Sequence, residues 1–250
     1  MLGFLIRQDL RQRFSGNVLG TAWAVLAPLL QLAVFALVFA QIFKARVPGL
    51  DERGYVMFLA LGMWPWSAFA EGISRGMTAL TDHAGLLNKV AVSAWDVVAA
   101  RVFAAFIVQG IGFLVVVPVL WFWQGTLSLA HWPLTLLSWA GLLALSLAIA
   151  QIVAICHVFA RDTQPIIAYL LTAWMFLTPI LYDPRILPEW LGSAMGFNPM
   201  AGLIAGVRDP LLWKNAAAAL PWTSLLVALA ALGLSAWMAR RFRGHVREFL

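Results

Sequence analysis

FLIRQDLRQRFSGNVLGTAWAVLAPLLQLAVFALVFAQIF, residues 4–43, carries a short basic segment directly into an apolar run long enough to cross a bilayer. Leu2, Ile6, Leu10 and Phe14 recur every fourth residue and share one helical face, while Arg7, Gln8, Arg11 and Gln12 fall on the other side. This pattern predicts a helix within residues 1–18 that lies in the membrane interface. Its apolar face points down and its basic face meets anionic headgroups or a partner. A turn is expected at Ser15-Gly16-Asn17, followed by entry into the bilayer.

Composition supports a membrane reading along the whole chain. Hydrophobic residues make up 62% and charged residues 11%, against about 45–50% and about 25% in soluble domains. The single cysteine, Cys156, sits in an apolar run and has no intrachain partner for a disulfide. The first apolar run exceeds the roughly 7–15 residues of a signal-peptide core, so no secretory signal is expected.

A spanning helix takes about 20 mostly apolar residues. The uncharged run 102–160 is too long for one span and is broken at Gln124-Gly125-Thr126 and His131-Trp132-Pro133, which predicts a hairpin of two helices. The run from residue 54 is expected to continue past Glu71 and Arg75, whose i, i+4 spacing allows them to pair. The run 190–207 holds four glycines and is divided by Asn198-Pro199, an N-cap followed by proline at the first helical position. Pro188 is likewise placed to open a helix. Two short helices dipping into the outer leaflet or lining a cavity are therefore expected here.

The fold class is thus all-α and integral to the membrane, one domain over residues 1–250 with six transmembrane helices. They fall at about 22–43, 55–80, 98–123, 133–158, 164–182 and 220–240. Both termini are expected in the cytoplasm. The inner segments then hold Arg7, Arg11, Arg13, Arg75, Lys89, Arg101, Arg161, Arg240, Arg241, Arg243 and Arg247. The outer ones hold Lys44, Arg46, Arg53, Arg185, Arg208 and Lys214, which agrees with the positive-inside tendency.

No phosphate-binding loop of the GxxxxGK[ST] type occurs, since Lys44, Lys89 and Lys214 do not follow a glycine. The histidines His83, His131, His157 and His245 have no histidine or cysteine partner at i+3 or i+4, and no nucleophile elbow surrounds a serine. Neither catalysis nor a resident cofactor or metal is expected within these residues. The segment Thr81 to Lys89 predicts a short helix across the membrane face, capped by Thr81 or Asp82. Its leucines, taken as exposed, suit either a groove in a partner or a lipid surface. Aromatics along span one (Trp23, Phe35, Phe39) and span five (Tyr169, Trp174, Phe176, Tyr182) suit stacking on sugar rings as well as ordinary packing.

With these residues in view, the chain resembles the permease subunits of ABC-2 type exporters, in the branch that exports O-antigen, teichoic acid and capsule. The matching residues are Arg7-x-Asp9-Leu10-Arg11-x-Arg13-Phe14, then Leu19-Gly20-x-x-Trp23-x-x-Leu26-x-Pro28-Leu29. Further on come Leu61-Gly62-Met63-Trp64-Pro65-Trp66, Leu86-Leu87-Asn88-Lys89-Val90 and Phe159-Ala160-Arg161-Asp162. Thr178-Pro179-Ile180-Leu181-Tyr182, Leu187-Pro188 and Asn198-Pro199-Met200 complete the set. The chain departs from the family at Val92-Ser93-Ala94, where a Phe-Pro step is common.

The resemblance implies a homodimer in the bacterial inner membrane with two copies of a separate ATPase, which would bind ATP and magnesium. Residues 1–18 would be the interface helix bordering that ATPase. Residues 82–95 would be the coupling helix, with Leu86, Leu87, Asn88 and Lys89 as its contacts. Residues 186–208, including Pro188, Trp190, Asn198 and Pro199, would be outer gate helices. Spans one and five of two copies would line a channel for a lipid-linked glycan moving outward. Arg7, Arg11 and Arg13 would meet a substrate pyrophosphate or lipid headgroups. Membrane lipids are expected partners and nucleic acid is not. An ABC-2 permease for a drug or lipid is the neighbouring alternative. A membrane-embedded transferase on lipid-linked substrates is a more distant one.

Overall fold

A computed structural model describes residues 1–14, 19–35, 37–38, 47–48, 50, 52–89, 92–124, 131–213 and 220–241. Every regular element among them is helical. The expected turn at Ser15-Gly16-Asn17 and the aromatic Phe39 lie outside the described residues, as do the side chains of Phe14, Phe35, Leu86, Asn88 and Lys89.

Helix α1 (Leu2–Phe14) precedes a 3₁₀ turn at Gly20–Ala22 and helix α2 (Trp23–Phe35). Helix α3 (Glu52–Met77) forms the centre of the bundle. Tyr55, Phe58, Trp64, Phe69 and Ile73 are all buried, so α3 is covered on every side rather than along one stripe. It runs through Pro65 without ending. At its far end Gly72 and Gly76 let α7 approach closely: a Cβ at Gly76 would lie 2.8 Å from Cβ of Ala150, and one at Gly72 would meet Ser146. Small residues spaced four apart are the usual means of close helix contact where lipid removes the hydrophobic drive.

Two short helices follow, α4 (Ala79–Asp82) and α5 (Ala84–Lys89). The expected hairpin is present as α6 (Ala94–Gln124) and α7 (Trp132–Phe159). Pro133 stands at the start of α7, where its missing N–H costs nothing. Helix α8 (Thr163–Phe176) comes next. The chain then makes a 3₁₀ turn at Pro184–Ile186 before α9 (Glu189–Met195), α10 (Pro199–Leu212) and α11 (Trp222–Arg241).

Among the described residues, four helices are long and apolar enough to cross a membrane, within Gly54–Met77, Ala94–Phe122, Trp132–Phe159 and Trp222–Arg241. The expected spans one and five differ. Helix α2 is described for 13 residues. Helix α8 has 14 residues, which is about 21 Å of rise against a hydrocarbon core of about 30 Å. Thr178 precedes Pro179, and a residue before proline is pushed out of helical conformation. The chain therefore leaves the helix after Phe176 and continues without regular structure to Leu181, whose carbonyl accepts a 2.8 Å hydrogen bond from the Tyr55 hydroxyl on α3.

The divided run at 190–207 forms the two expected short helices. Asn198 is extended and its Oδ1 accepts from the Met200 amide at 3.0 Å, with Pro199 at the first helical position. Helix α10 is not a surface helix: Met200, Leu203, Ile204, Val207 and Leu211 are fully buried. Gly202 and Gly206 give it room, because a side chain there would collide with Ser224 of α11 and Ser138 of α7. Leu203 lies beside Gly141, and Val207 accepts a hydrogen bond from Thr135 nearer the start of α7. Helix α10 therefore runs antiparallel to the first turns of α7.

Candidate functional site

Helix α1 is held to the bundle by its one acid. Leu5, Asp9 and Arg13 follow one another at i+4, and Leu5 and Asp9 are both buried. The Asp9 carboxylate meets Arg75 of α3 at 2.7 Å and Arg101 of α6 at 3.2 Å. Arg101 also reaches Asp82 of α4 at 2.7 Å, and Asp82 accepts from the Thr78 hydroxyl at 2.9 Å. One turn further along α1, Arg13 pairs with Glu71 at 2.6 Å, and Glu71 accepts from the Gln109 amide at 2.7 Å. Three acids thus face three arginines across α1, α3, α4 and α6.

This network corrects two expectations. Glu71 and Arg75 do not serve one another; each takes a partner on α1, where the matching charge comes closer than a neighbour on the same helix. Asp82 does not cap the short helix after it, because its carboxylate is engaged by Arg101 and Thr78. The available signal for the network was a lone acid on the apolar-side register of a basic helix, together with charges at the ends of otherwise apolar spans.

Helix α5 carries the expected coupling segment, with Leu86, Asn88 and Lys89 described in backbone only. Leu87 is not an exposed docking residue: it is 5% exposed and belongs to this chain's own core. The expected apolar stripe of α1 is also rotated. Leu5 and Asp9 lie at its buried centre, with Leu2 and Ile6 packed at the edge. Arg7 and Arg11 are exposed, whereas Arg13 is taken by Glu71.

The aromatics of the expected channel divide into two groups. Tyr169 and Phe176 are 78% and 54% exposed on α8. Trp174 instead packs edge-on against Phe69 and Trp66, with ring centroids 5.5 and 6.4 Å away, and its Nε1 donates to Asn198 Oδ1 at 3.0 Å. Tyr182 is half-buried and its hydroxyl donates to the Phe176 carbonyl at 3.2 Å. Trp23 is 41% exposed. It borders a cavity of about 340 Å³ among α1, α2, α3 and α6, together with Gln31, Trp66, Ser67, Glu71 and Gln109.

The opposite end of the bundle has its own polar anchors. Arg208 of α10 is buried, donates to the Pro179 carbonyl at 2.8 Å, and stacks 3.9 Å above the Phe58 ring. Asp183 pairs with Arg185 at 2.6 Å. Burial pushes the Asp183 carboxyl up. Hydrogen bonds from the Arg185 side chain and amide, with the charges of Arg185 and Arg208, outweigh that and hold it below its ordinary value. Of the expected gate residues, Asn198 and Pro199 build the turn into α10. Pro188 and Trp190 lie exposed at and before the start of α9.

A family model described as ABC-2 type transporter matches residues 2–212. The chain belongs to the ABC-2 type transporter family. An O-antigen export system permease protein of Myxococcus xanthus is 30% identical, over 92% of this chain and 85% of its own length. One of the same description from Klebsiella pneumoniae is 25% identical, over 97% of this chain and 93% of its own. A polysialic acid transport protein of Escherichia coli is 22% identical, over 83% of this chain and 80% of its own. ABC-2 membership places the described helices in a membrane transport protein.

Proposed function

We propose that this chain is the membrane subunit of an ATP-driven exporter that moves a lipid-linked polysaccharide out across the bacterial inner membrane. The observation that carries this is the similarity to O-antigen export permeases over nearly the whole chain, from the basic lead helix through α9 and α10.

In this reading the end of the bundle bearing α1, α4 and α5 is cytoplasmic and meets a separate ATPase carrying ATP and magnesium. Helix α5 and the residues to 95 form the coupling segment. Its exposed positions, such as Gly85, make contact while Leu87 fastens it to the bundle. Six spans are counted with α2 as the first and with α8 continued by the irregular segment 177–182. Two copies pair through α2 and α8. That is consistent with the exposure of Leu26, Leu30 and Val34 on α2 and of Ile166, Tyr169 and Leu170 on α8. Trp23, Tyr169 and Phe176 line the path and stack on sugar rings without fixing any one of them. Helices α9 and α10 gate its outer end. Arg7 and Arg11, exposed on α1, attract the substrate pyrophosphate or anchor to headgroups.

Deleting the gene tests the cargo. Surface polysaccharide should disappear while lipid-linked glycan accumulates inside. Unchanged surface glycan with no accumulation would leave a permease for a drug or lipid as the reading.

A further inference from the structure

Near the C-terminal ends of α7 and α11 the bundle holds a further cavity of about 560 Å³, within the roughly 300–1,000 Å³ of small-molecule sites. Leu80 of α4, Trp95 of α6 and Ile155 of α7 give it an apolar wall. Three polar side chains join them: Gln151 of α7, Ser93 just before α6, and Arg240 of α11. No carboxylate is among the lining residues. Gln151 is only 2% exposed, yet its amide has no hydrogen-bond partner among the described residues. Neither amide atom is sealed off, so the surface they keep opens on the cavity that the residue lines. An amide offers two N–H donors and an acceptor, and it is costly to leave unpaired beside apolar walls.

The polar groups are stepped along the bundle. Leu225 of α11 lies level with Gly141 of α7, and both helices run on toward the cavity. Fifteen residues later Arg240 comes level with Cys156, five residues past Gln151. At 1.5 Å per residue that is about 7.5 Å. A cation thus stands at the end of the span, with an uncharged amide deeper between the helices. Trp237, three residues before Arg240, is 60% exposed, which opens this side of α11 to acyl chains. One arginine with no carboxylate balances a single negative charge. A phosphodiester fits that balance, and a pyrophosphate exceeds it.

We propose that this cavity binds one anionic glycerophospholipid from the inner leaflet, with its phosphate at Arg240 and Ser93 and its glycerol esters at Gln151. The choice of leaflet rests on the proposed function, in which this end of the bundle is cytoplasmic. Ser93 and Trp95 belong to the proposed coupling segment, so a lipid held here fixes the last residues of that segment against α7 and α11.

Native mass spectrometry of the delipidated permease–ATPase complex tests this, with phosphatidylglycerol and phosphatidylcholine as probes and glycerol 3-phosphate as competitor. Phosphatidylglycerol should be retained at least five-fold more than phosphatidylcholine. Its retention should fall at least five-fold in Gln151→Leu, which removes the amide, and in Arg240→Gln. Glycerol 3-phosphate should not displace it. Equal retention of the two lipids, wild-type retention in either variant, or displacement by glycerol 3-phosphate would overturn the proposal. If Gln151→Leu fails to assemble, Arg240→Gln carries the test, since that side chain is exposed. An Arg240→Gln variant that keeps the lipid and loses the ATPase would assign the arginine to the partner and likewise overturn it. A complex that exports glycan without such retention loses the lipid site and keeps the export function. Gln151-dependent retention in a complex that exports no glycan does the reverse.

Discussion

Asp9 of the lead helix and Arg75 of the central helix meet at 2.7 Å, with the Asp9 side chain only 6% exposed. Arg101 approaches the same carboxylate at 3.2 Å and continues to Asp82 at 2.7 Å. The lead helix and the turn before α5 therefore share one arginine. Arg101 thus ties together the two segments proposed to meet an ATPase.

Asp9→Ala should free α1 from the bundle. Arg101 keeps Asp82, but Arg75, 26% exposed, loses its partner, so the cost should fall below the about 3–5 kcal/mol of a fully buried pair. Hydrogen exchange of residues 2–14 should accelerate by at least ten-fold, with protection in α7 unchanged. Unaltered exchange in α1 would show that the ion pairs do not hold it.

Leu87→Asp should destabilise the subunit itself, since a charge would enter the core beside α5. Gly85 is exposed and a Cβ there meets nothing within 4 Å. Gly85→Trp should therefore leave the melting temperature within a few degrees of wild type and reduce copurification of the ATPase. A thermal melt and a pull-down on both variants separate packing from docking. A stable Leu87→Asp that still loses the ATPase would restore Leu87 as a contact residue.

What could be read from the chain alone was whatever is decided locally. Asn198-Pro199 starts a helix because an N-cap side chain and a proline need only their own neighbours. Polar breaks at residues 124–126 and 131–133 end two spans for the same reason. The burial of Leu87, the pairing of Glu71 with Arg13 and the rotated stripe of α1 depend on which helix comes alongside, and no local pattern carries that. Helix α8 lies between these cases. Its hydropathy extends to Leu181, yet the restriction imposed by Pro179 ends the helix earlier. Trp174 and Tyr169 share a segment and an aromatic character, and only packing separates them.

Trp174→Ala should lower assembly and export together, because it empties the contact with Trp66 and Phe69 and removes the bond to Asn198. Trp174 is half-buried, so the loss should fall below the about 3–5 kcal/mol of a fully buried aromatic. Tyr169→Ala, on an exposed side chain, should reduce export while detergent-extracted yield stays near wild type. Yield and export measured side by side check both. A parallel fall for Tyr169→Ala would assign it to packing.

Acid should loosen the turn at residues 183–187. The Asp183 carboxyl is held below its ordinary value, so the clamp on Arg185 contributes in full above the unfolded carboxylate value of about 3.9. It is lost as pH falls through the lower folded value. Hydrogen exchange of 183–187, corrected for intrinsic rate, should be flat between pH 7 and 5 and rise below about 4. Asp183→Asn should remove that dependence. Acid-insensitive exchange in the wild type would argue against the clamp.

The most direct test of the export account is transport in a defined system. The permease and its ATPase, reconstituted in vesicles with the ATPase outward, would be given labelled lipid-linked glycan in the outer leaflet. The account predicts ATP-dependent passage of the glycan into the lumen, where an added glycosidase no longer reaches it. Glycan that stays fully accessible despite ATP hydrolysis by an assembled complex would contradict it.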